Sequence, residues 1–389
     1  MSKSFTQTLL KATRLTRMGS LLDATRLLQR ALAPAQPVRP AATRTPQSAR
    51  AANDPVVTRA PLGAPAVRPT PEPLKPSVEK PAPAAREARP AAEPIQIPPQ
   101  PASFTEGSFR FSGQPWPYRL YIPALPAGAS ASPQRPLIVL LHGCSQDARD
   151  FAQGTAMNAL ADKHQCLVLY PEQTSRANSG RCWNWFEPDH QKRGRGEPGM
   201  IAGLTRQVLA SHGGDPARTY IAGLSAGGAM AAVVAGLYPD LFAGVGVHSG
   251  LPAGAAQDML SAFSAMRHGA PGQEAPPLPT IVFHGSADKT VHPDNGDNIS
   301  QAAIAALHGA GIALVKSQST RGSKTARSTQ RTAWRAVDGA SYVEHWTVDA
   351  GAHAWSGGDA AGSYTDPQGP SASAAMLDFF LQHQKPAES

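Results

Sequence analysis

One short segment of the sequence has the composition of a sharp turn that presents a nucleophile. It spans residues 223–228 and reads GLSAGG, and it lies between an apolar run predicted to be a strand and a stretch predicted to be a helix. Glycines on both sides of the serine allow the chain to turn tightly, so that the hydroxyl projects above a sheet. The segment therefore predicts Ser225 as a nucleophile. The alternative is a glycine-rich helix start that Ser225 caps.

A serine hydroxyl becomes an effective nucleophile only when a base accepts its proton, and the late part of the chain offers a histidine for that role. His353 follows a predicted strand that ends near Asp349, and it precedes the last predicted helix. This position fits the chain order of serine, acid and histidine that accompanies such a turn. Of the other late histidines, His345 lies within a strand and is expected to be structural, and His383 is expected to be solvated in the terminal helix.

The acid that orients such a histidine should follow an earlier strand. The predicted strand Thr280–Phe283 runs into a turn that holds Asp288. A carboxylate there can accept a hydrogen bond from the histidine, fix its tautomer and stabilise the imidazolium. The alternative for Asp288 is an ordinary turn residue. The other candidates for the acid are Asp294, Asp297 and Asp349.

Acyl transfer passes through a tetrahedral intermediate whose negatively charged oxygen needs hydrogen-bond donors. The backbone N–H that follows the nucleophile, that of Ala226, is one donor. The second should come from the loop after an earlier strand, LHGCSQ at 141–146, where the backbone N–H of Cys144 is the natural donor. Cys144 as the nucleophile itself is the weaker alternative, because Ser225 already occupies the sharp turn.

The elements that would position these residues follow an α/β pattern from Phe104 onward. Short apolar runs alternate with helical stretches, which is typical of a mostly parallel sheet flanked by helices. The predicted strands are Arg119–Ile122, Leu137–Leu141, Cys166–Tyr170, Thr219–Ala222, Gly244–His248, Thr280–Phe283 and Val343–Val348. The predicted helices are Phe151–His164, Gly199–His212, Ala226–Tyr238, Gly296–His308 and Ser371–Gln384. Two stretches fit neither pattern, so we expect functional or flexible loops at 171–198 and 316–333.

The first hundred residues differ from the rest in composition and charge. Residues 1–103 carry 15 Lys and Arg against 6 Asp and Glu, a net of +9, whereas the remainder carries 21 against 22. Residues 1–33 are predicted to be a basic amphipathic helical segment, 34–102 a disordered Pro- and Ala-rich linker, and 103–385 the catalytic domain. A basic tail of this kind fits nucleic acid, anionic lipid or an acidic particle surface, and the alternative is a tether without a partner.

The cysteines and the apolar runs bear on the cellular compartment. Cys144, Cys166 and Cys182 do not make a disulfide framework, and no CxxC pair indicates a zinc site. No run of about 18 apolar residues predicts a transmembrane helix, and the N-terminus has no continuous apolar stretch of the kind that signal peptides contain. These features favour a cytoplasmic protein with reduced thiols.

Five sequence blocks, in the right order, together resemble a known family. They read LHGCSQDARDF at 141–151, LYPEQTSRANSGRCWNWF at 169–186, AGLSAGG at 222–228, HGSADKTV at 284–291 and GAHAWSGG at 351–358. The chain is similar here to poly(3-hydroxybutyrate) depolymerase-type esterases, which are related to feruloyl and acetylxylan esterases. The resemblance covers about residues 103–384. It implies an α/β-hydrolase fold and carboxylic-ester hydrolysis without a cofactor or metal, by the residues named above.

The resemblance also bears on substrate, partner and location. Secreted polymer depolymerases usually have a signal peptide and a polymer-binding domain beyond the catalytic one, which this sequence does not show. Hydroxyalkanoate oligomers, amorphous polyester or small esters are therefore favoured over crystalline polymer, and an extracellular location is the alternative to the cytoplasm. A polymer granule or anionic surface is the candidate partner of the basic tail, and no specific nucleic acid is expected. The alternative functions are a feruloyl or acetylxylan esterase, and a non-catalytic polymer-binding protein on a hydrolase scaffold.

Tryptophans near the blocks suggest a substrate-binding wall. Trp183 and Trp185 in the loop 171–198, and Trp355 two residues after the proposed base, offer flat apolar surface that suits a polyester chain or an aromatic acyl group. The alternative is that these tryptophans only pack the interior. Cys182 and Cys144 could form a disulfide across the mouth of the site, but only in an oxidising compartment.

Overall fold

The computed structural model describes residues 100–125, 134–323 and 326–386. The predicted helical segment at 1–33 and the predicted linker at 34–102, apart from its last three residues, lie outside this part. The described residues form one large sheet and one small sheet, and helices cover both faces of the large sheet. The predicted α/β architecture, a mostly parallel sheet flanked by helices, is confirmed.

The strands of the large sheet are β1 Ser103–Phe111, β2 Gln114–Ile122, β3 Arg135–Leu141, β4 Leu167–Pro171, β5 Gly214–Leu224, β6 Gly244–His248, β7 Thr280–Gly285, β8 Val315–Ser323, β9 Ala326–Arg335 and β10 Ser341–Val348. Their order across the sheet is β1-β2-β4-β3-β5-β6-β7-β10-β9-β8. The six strands from β4 to β10 in that order pair in parallel. Antiparallel strands extend both edges. The small sheet joins β11 Trp355–Ser356 and β12 Thr365–Asp366.

The helices are α1 Ala148–Thr155, α2 Met157–His164, α3 Gly196–His212, α4 Ala226–Leu237, α5 Met259–His268, α6 Asp294–Gly309 and α7 Ala372–Phe380, with a short 3-10 helix at Pro188–Gln191. The prediction of one helix at Phe151–His164 is wrong, because Ala156 adopts a left-handed backbone (φ 51°) that ends α1 before α2 begins. No helix in the described part of the chain is long and apolar enough to cross a membrane.

The hydrophobic core lies in two layers, one on each face of the sheet. Alternate residues of β3 point to opposite faces, as the pleat of a strand requires. Leu137, Val139 and Leu141 pack toward α3 and α4, whereas Ile138 and Leu140 pack toward α1, α2 and α7. Every residue of β3 is buried, which explains its continuous apolar run and why this strand was predictable.

The prediction of a loop at 316–333 is wrong, since residues 316–323 and 326–333 belong to the antiparallel strands β8 and β9 at one edge of the sheet. Only Thr329 and Ala333 of β9 are buried. A strand that is solvated on most positions needs no alternating apolar pattern, so serines, threonines and arginines can pair there without a hydrophobic signal. The edge strand β1, none of whose residues is fully buried, was missed for the same reason.

Helix α5 was also not predicted, and its outward surface explains why. Met259, Leu260 and Phe263 are more than half exposed, while Ala262 and Ala265 are its buried residues. Large apolar residues therefore face outward and small ones inward, which reverses the pattern that identifies an amphipathic helix.

The parallel strands bring four chemically important segments to one edge of the sheet. Strands β3, β5, β7 and β10 run in the same direction, so their carboxyl ends meet at a single edge, where open α/β sheets bind ligands. The residues that follow those ends include Cys144, Ser225, Asp288 and His353. The fold thus places every residue predicted to take part in bond making at the same edge.

Candidate active site

Ser225 occupies the tight turn between β5 and α4. Its backbone has φ 57° and ψ −122°, a conformation that residues with side chains rarely adopt, and its N–H donates to the carbonyl oxygen of His248 at 2.9 Å. A methyl group on Gly227 would collide with the carbonyl oxygen of Leu141, and one on Gly223 would collide with Gly227. The flanking glycines are needed because the turn packs directly on itself and on the end of β3.

Asp288 and His353 form a direct hydrogen bond at this edge. The Nδ1 of His353 lies 2.7 Å from Oδ2 of the buried Asp288, and the backbone N–H groups of Thr290 and Val291 donate to Oδ1 at 2.9 Å each. Burial alone would raise the pKa of Asp288, but the hydrogen bond and the charge of His353, with the backbone donor, outweigh burial and hold that pKa below its usual value. An ionised Asp288 requires the proton on Nδ1 of His353 and leaves Nε2 able to accept one.

Backbone contacts join the two loops that carry this pair. The N–H of Ser286 donates to the carbonyl oxygen of Val348 at 2.9 Å, and the N–H of Ala287 donates to that of Gly351 at 3.0 Å. A methyl group on Gly285 would collide with the carbonyl oxygen of Gly351. The acid and the histidine are therefore held in register by main chain as well as by their own hydrogen bond.

The other acid candidates have different partners. Asp294 lies 3.4 Å from the exposed His292, Asp297 lies 3.3 Å from Nδ1 of His345, and Asp349 accepts a long hydrogen bond from a serine hydroxyl of the β7 loop. Among the described residues, the only carboxylate that pairs with His353 is that of Asp288.

A buried histidine, His248, packs against residues next to the site. It was not identified from the sequence. Its ring stacks on Trp355 and Phe283, with centroids 5.1 and 5.6 Å away, and its Nε2 accepts the N–H of Ser356 at 3.0 Å. Burial lowers its pKa to about 3, so the imidazole is neutral. Its position at the carboxyl end of β6, beside the serine turn, was the available signal.

The loop after β3 is tied down at several points. The N–H of Gly143 donates to the side-chain oxygen of Gln146 at 2.9 Å, and the N–H of Ser145 donates to the carbonyl oxygen of Gly180 at 2.8 Å. Cys144 forms a disulfide with Cys182. Such a bond persists in an oxidising compartment.

The two amides predicted to bind an oxyanion are without an acceptor in the described part of the chain. In the part of the chain that the structure describes, the N–H of Cys144 has no protein acceptor. The N–H of Ala226 belongs to the first residue of α4, where the helix itself offers no acceptor. These two amides can therefore serve as oxyanion donors.

A buried carboxylate, Glu197, organises the loop at 171–198. Only 1% of its side chain is exposed, and its oxygens accept from the backbone and side-chain amides of Asn184 at 2.7 and 2.6 Å and from the side chain of Gln173 at 2.5 Å. Nδ1 of His190 lies 3.3 Å away. Burial alone would lower the pKa of His190, but the close contact with the charge of Glu197 outweighs burial and raises it. An acidic residue in the first turn of α3 was the sequence signal that we missed.

The prediction that three tryptophans form a substrate wall is wrong. Trp183, Trp185 and Trp355 are exposed by 0%, 3% and 1%. The indole N–H of Trp183 donates to the carbonyl oxygen of His142, and that of Trp355 donates to the hydroxyl of Ser373, both at 3.0 Å. Interior acceptors satisfy the only polar group of Trp183 and of Trp355, so both rings can pack inward. They support the site instead of lining it.

The two late histidines outside the proposed triad are both internal. His345 lies in β10 and is buried, in keeping with a structural role. The prediction of a solvated His383 in the terminal helix is wrong: it follows α7, is buried, and its Nε2 lies 2.8 Å from the carbonyl oxygen of Ser341. The hydroxyl of Tyr220 donates to the carbonyl oxygen of His383 at 2.6 Å.

The arrangement at this edge has the parts that acyl transfer needs: a hydroxyl on a strained turn, an imidazole oriented by a buried carboxylate, and two available amides. Within the described residues, no group of three or more His, Cys, Asp or Glu side chains could hold a metal ion. The hydroxyl, the imidazole and the carboxylate together can perform nucleophilic attack with general base catalysis.

Comparisons with known proteins relate this chain to a family of esterases. The family profile described as Esterase PHB depolymerase matches residues 117–313, which include Ser225 and Asp288. Poly(3-hydroxyalkanoate) depolymerase C from Paucimonas lemoignei is 34% identical over 244 residues, covering 59% of this chain and 56% of that protein. Feruloyl esterase B from Thermothelomyces thermophilus is 33% identical over 153 residues, covering 39% of this chain and 50% of that protein. The chain thus spans about half the length of these curated relatives.

A comparison of folds finds the same architecture in a solved structure. The structure of an acetyl xylan esterase from Aspergillus awamori superposes with a TM-score of 0.52 at 18% identity, covering 71% of this chain and 98% of that one. An identity this low supports a shared fold, that of the α/β-hydrolase esterases, and no more.

Proposed function

Because this chain belongs to the esterase PHB depolymerase family, we propose that it is a serine carboxylic-ester hydrolase whose triad is Ser225, His353 and Asp288. The observation that carries the proposal is the 2.7 Å hydrogen bond between Nδ1 of His353 and the buried Asp288, at the edge where the strained turn holds Ser225. An acid that fixes the histidine tautomer beside a serine turn is the arrangement that activates a hydroxyl.

In the proposed reaction, Oγ of Ser225 attacks the ester carbonyl carbon while Nε2 of His353 takes the hydroxyl proton. The carbonyl oxygen becomes an oxyanion, which the backbone N–H groups of Cys144 and Ala226 stabilise. The tetrahedral intermediate collapses, the alcohol leaves with the proton from His353, and the acyl group stays on Ser225. Water then attacks this acyl-enzyme and gives a proton to His353. His353 returns that proton to Oγ of Ser225 as the carboxylic acid leaves, which restores the free enzyme.

We propose hydroxyalkanoate polyester, its oligomers or related small esters as the substrate class. The name and 34% identity of the Paucimonas lemoignei relative support this choice, and the feruloyl esterase relative supports the alternative of a feruloyl or acetylxylan esterase. A panel of 3-hydroxybutyrate oligomers, methyl ferulate and acetylated xylan, tested on the wild type and on Ser225→Ala, separates them. We expect the wild type to hydrolyse the oligomers and Ser225→Ala not to hydrolyse them. A preference for methyl ferulate or acetylated xylan would overturn the substrate choice.

The basic residues ahead of the catalytic domain are proposed to affect location and not chemistry. The support is their charge of +9 against −1 for the remainder, and the position of every proposed site residue beyond residue 103. A protein lacking residues 1–102 should keep near wild-type kcat/KM on a soluble ester. In co-sedimentation it should bind polyester granules or anionic vesicles less than the full-length protein does, and added salt should reduce that difference. Equal co-sedimentation of both proteins would remove this role.

A further inference from the structure

Behind the Asp288–His353 pair lie two buried histidines that the proposed mechanism does not use, His284 and His345. His284 is the penultimate residue of β7 and His345 belongs to the neighbouring parallel strand β10. Their side chains are 1% and 10% exposed. Buried imidazoles without a catalytic role need a structural explanation, because each must satisfy two ring nitrogens away from water.

One side of His284 contacts the turn that carries the acid. Its Nε2 donates to the carbonyl oxygen of Val291 at 2.9 Å and lies 3.6 Å from Oδ2 of Asp288. The N–H of Val291 in turn donates to Oδ1 of Asp288 at 2.9 Å. His284 therefore braces the turn from Asp288 to Val291. With its proton on Nε2, its Nδ1 is an acceptor.

The other side of His284 faces His345. Nδ1 of His284 and Nε2 of His345 are both buried, and neither has a hydrogen-bond partner within the described residues. A methyl group on Gly296 would lie 2.9 Å from the first nitrogen and 3.2 Å from the second, so both nitrogens face the same space beside Gly296. Beyond them, Nδ1 of His345 lies 3.3 Å from Oδ1 of Asp297, whose side chain is more than half exposed.

These groups can be connected by hydrogen bonds. Nδ1 of His284 accepts, and a small ring rotation or one bridging water would join it to Nε2 of His345. On the other side of the His345 ring, Nδ1 faces the carboxylate of Asp297 at 3.3 Å.

We propose that Asp297, His345 and His284 form a relay that positions the acid Asp288 and couples it to a carboxylate at the protein surface. The proposal rests on the proposed function, since it assigns a role with respect to the triad. None of the three touches the reacting atoms, so they are positioning residues. Losing the Asp297 carboxylate should loosen His345, then His284, and then the turn that holds Asp288 against His353.

The ionisable groups that face the relay are few. His248 and His353 are the other imidazoles near His284, and Asp288 and Asp297 are the carboxylates. Burial lowers the pKa of His284 and keeps it neutral. The hydrogen bond with His345, followed by its charge, lowers the pKa of Asp297. These directions agree with a neutral His284 and an ionised Asp297.

The test compares Asp297→Asn with Asp294→Asn in the full-length protein. Asp294 lies in the same first turn of α6 but pairs with the exposed His292, so it is a matched control. For hydrolysis of a soluble ester, Asp297→Asn should lower kcat by roughly 2- to 10-fold with KM unchanged, as the loss of one charged hydrogen bond predicts. The acid limb of its pH–kcat profile should shift, and that of Asp294→Asn should not. Identical kcat and pH profiles in Asp297→Asn and the wild type would overturn the relay.

A second readout does not depend on turnover. The low-field proton resonance of the His353 Nδ1–H, assigned by its loss in His353→Ala, should shift in Asp297→Asn and stay in place in Asp294→Asn. Gly296→Ala, which adds a methyl group between the two imidazoles, should shift it too. An unmoved resonance in both Asp297→Asn and Gly296→Ala would overturn the relay even if the esterase activity stands. Absence of ester turnover by the wild type would instead overturn the proposed function, while the resonance still decides the relay.

Discussion

The two sides of the catalytic edge are held in place by different kinds of interaction. The acid–base side, residues 285–297 and 349–356, is held by hydrogen bonds between ionisable side chains, above all that between His353 and Asp288. The oxyanion side, residues 142–147 and 171–198, is held by the Cys144–Cys182 disulfide and by hydrogen bonds to the buried Glu197. The first side uses groups whose charge can change during a reaction, and the second uses a covalent bond and the hydrogen bonds of one buried carboxylate.

This difference separates chemistry from support. A substitution on the acid–base side should lower turnover and leave the free energy of unfolding nearly unchanged, since the hydrogen bonds there organise a few side chains. A substitution on the oxyanion side should lower stability first, because the disulfide and Glu197 hold a long irregular loop against the sheet. We expect the effects on activity or stability to decrease from the triad, through the amide of Cys144 and the carboxylate of Glu197, to His190.

The largest effect on turnover is expected from the triad. Ser225→Ala, His353→Ala and Asp288→Asn should each lower kcat by roughly 10³-fold or more, and double variants should lose little more than single ones. Circular dichroism and unfolding curves should match the wild type. Steady-state kinetics on a soluble ester provides the measurement. If Asp288→Asn lowered kcat only slightly and Asp297→Asn lowered it strongly, the acid of the triad would be Asp297 and not Asp288.

The next effect concerns the amide of Cys144. Cys144→Pro deletes the N–H and distorts the loop, so it should lose about 10²-fold or more in kcat relative to Cys144→Ala. Cys144→Ala and Cys182→Ala remove the same disulfide, which closes a loop with a sequence separation of 38 residues. Both should lose stability equally, by roughly 3–4 kcal/mol in the chain-entropy account, and keep similar kcat. A folded Cys144→Ala far less active than Cys182→Ala would give the Cys144 thiol a role of its own.

A smaller change is expected for the buried carboxylate of the oxyanion side. Glu197→Ala leaves the amides of Asn184 and Gln173 without their acceptor and should lower the free energy of unfolding by roughly 2–4 kcal/mol. Glu187→Ala, an exposed carboxylate of the same loop, is the control and should be nearly neutral. Equal unfolding curves for the two variants would mean that Glu197 does not hold the loop.

The smallest effect is a pH dependence at His190. Its pKa is raised in the folded protein by Glu197, with smaller contributions from Glu187 and Asp189. Its contribution to stability is therefore complete below the unfolded value of about 6.5 and is lost as the pH rises through the folded value. His190→Gln should cost under about 1 kcal/mol of unfolding free energy in mild acid and less in mild alkali. A cost that grows with pH would contradict the sign of this coupling.

The sequence was sufficient where local pattern and function coincide. The serine turn had to be glycine-rich, since Gly223 and Gly227 pack against backbone, and β3 had to be apolar because both of its faces are covered. The pairing of His353 with Asp288 could be predicted because loops after parallel strands meet at one edge.

The rest depended on contacts that no local pattern encodes. The local sequence around a tryptophan in a loop does not show whether its ring lines a site or packs inward. For Trp183 and Trp355, the interior acceptors of their indole N–H groups show that the rings pack inward. The β8–β9 hairpin has no apolar alternation because solvent covers most of it. Glu197, His248 and His345 acquire their roles from residues that are distant in sequence.

The central claim, that Ser225 is an activated nucleophile, is tested most directly by covalent labelling. The folded wild type and Ser225→Ala are treated with a fluorophosphonate probe, and the modified residue is located by peptide mass spectrometry. We expect one modification, on Ser225, which is absent in Ser225→Ala and much slower in His353→Ala because the hydroxyl then has no base. A folded wild type that stays unlabelled, or labelling that persists in Ser225→Ala, would contradict the claim and favour a polymer-binding protein on a hydrolase scaffold.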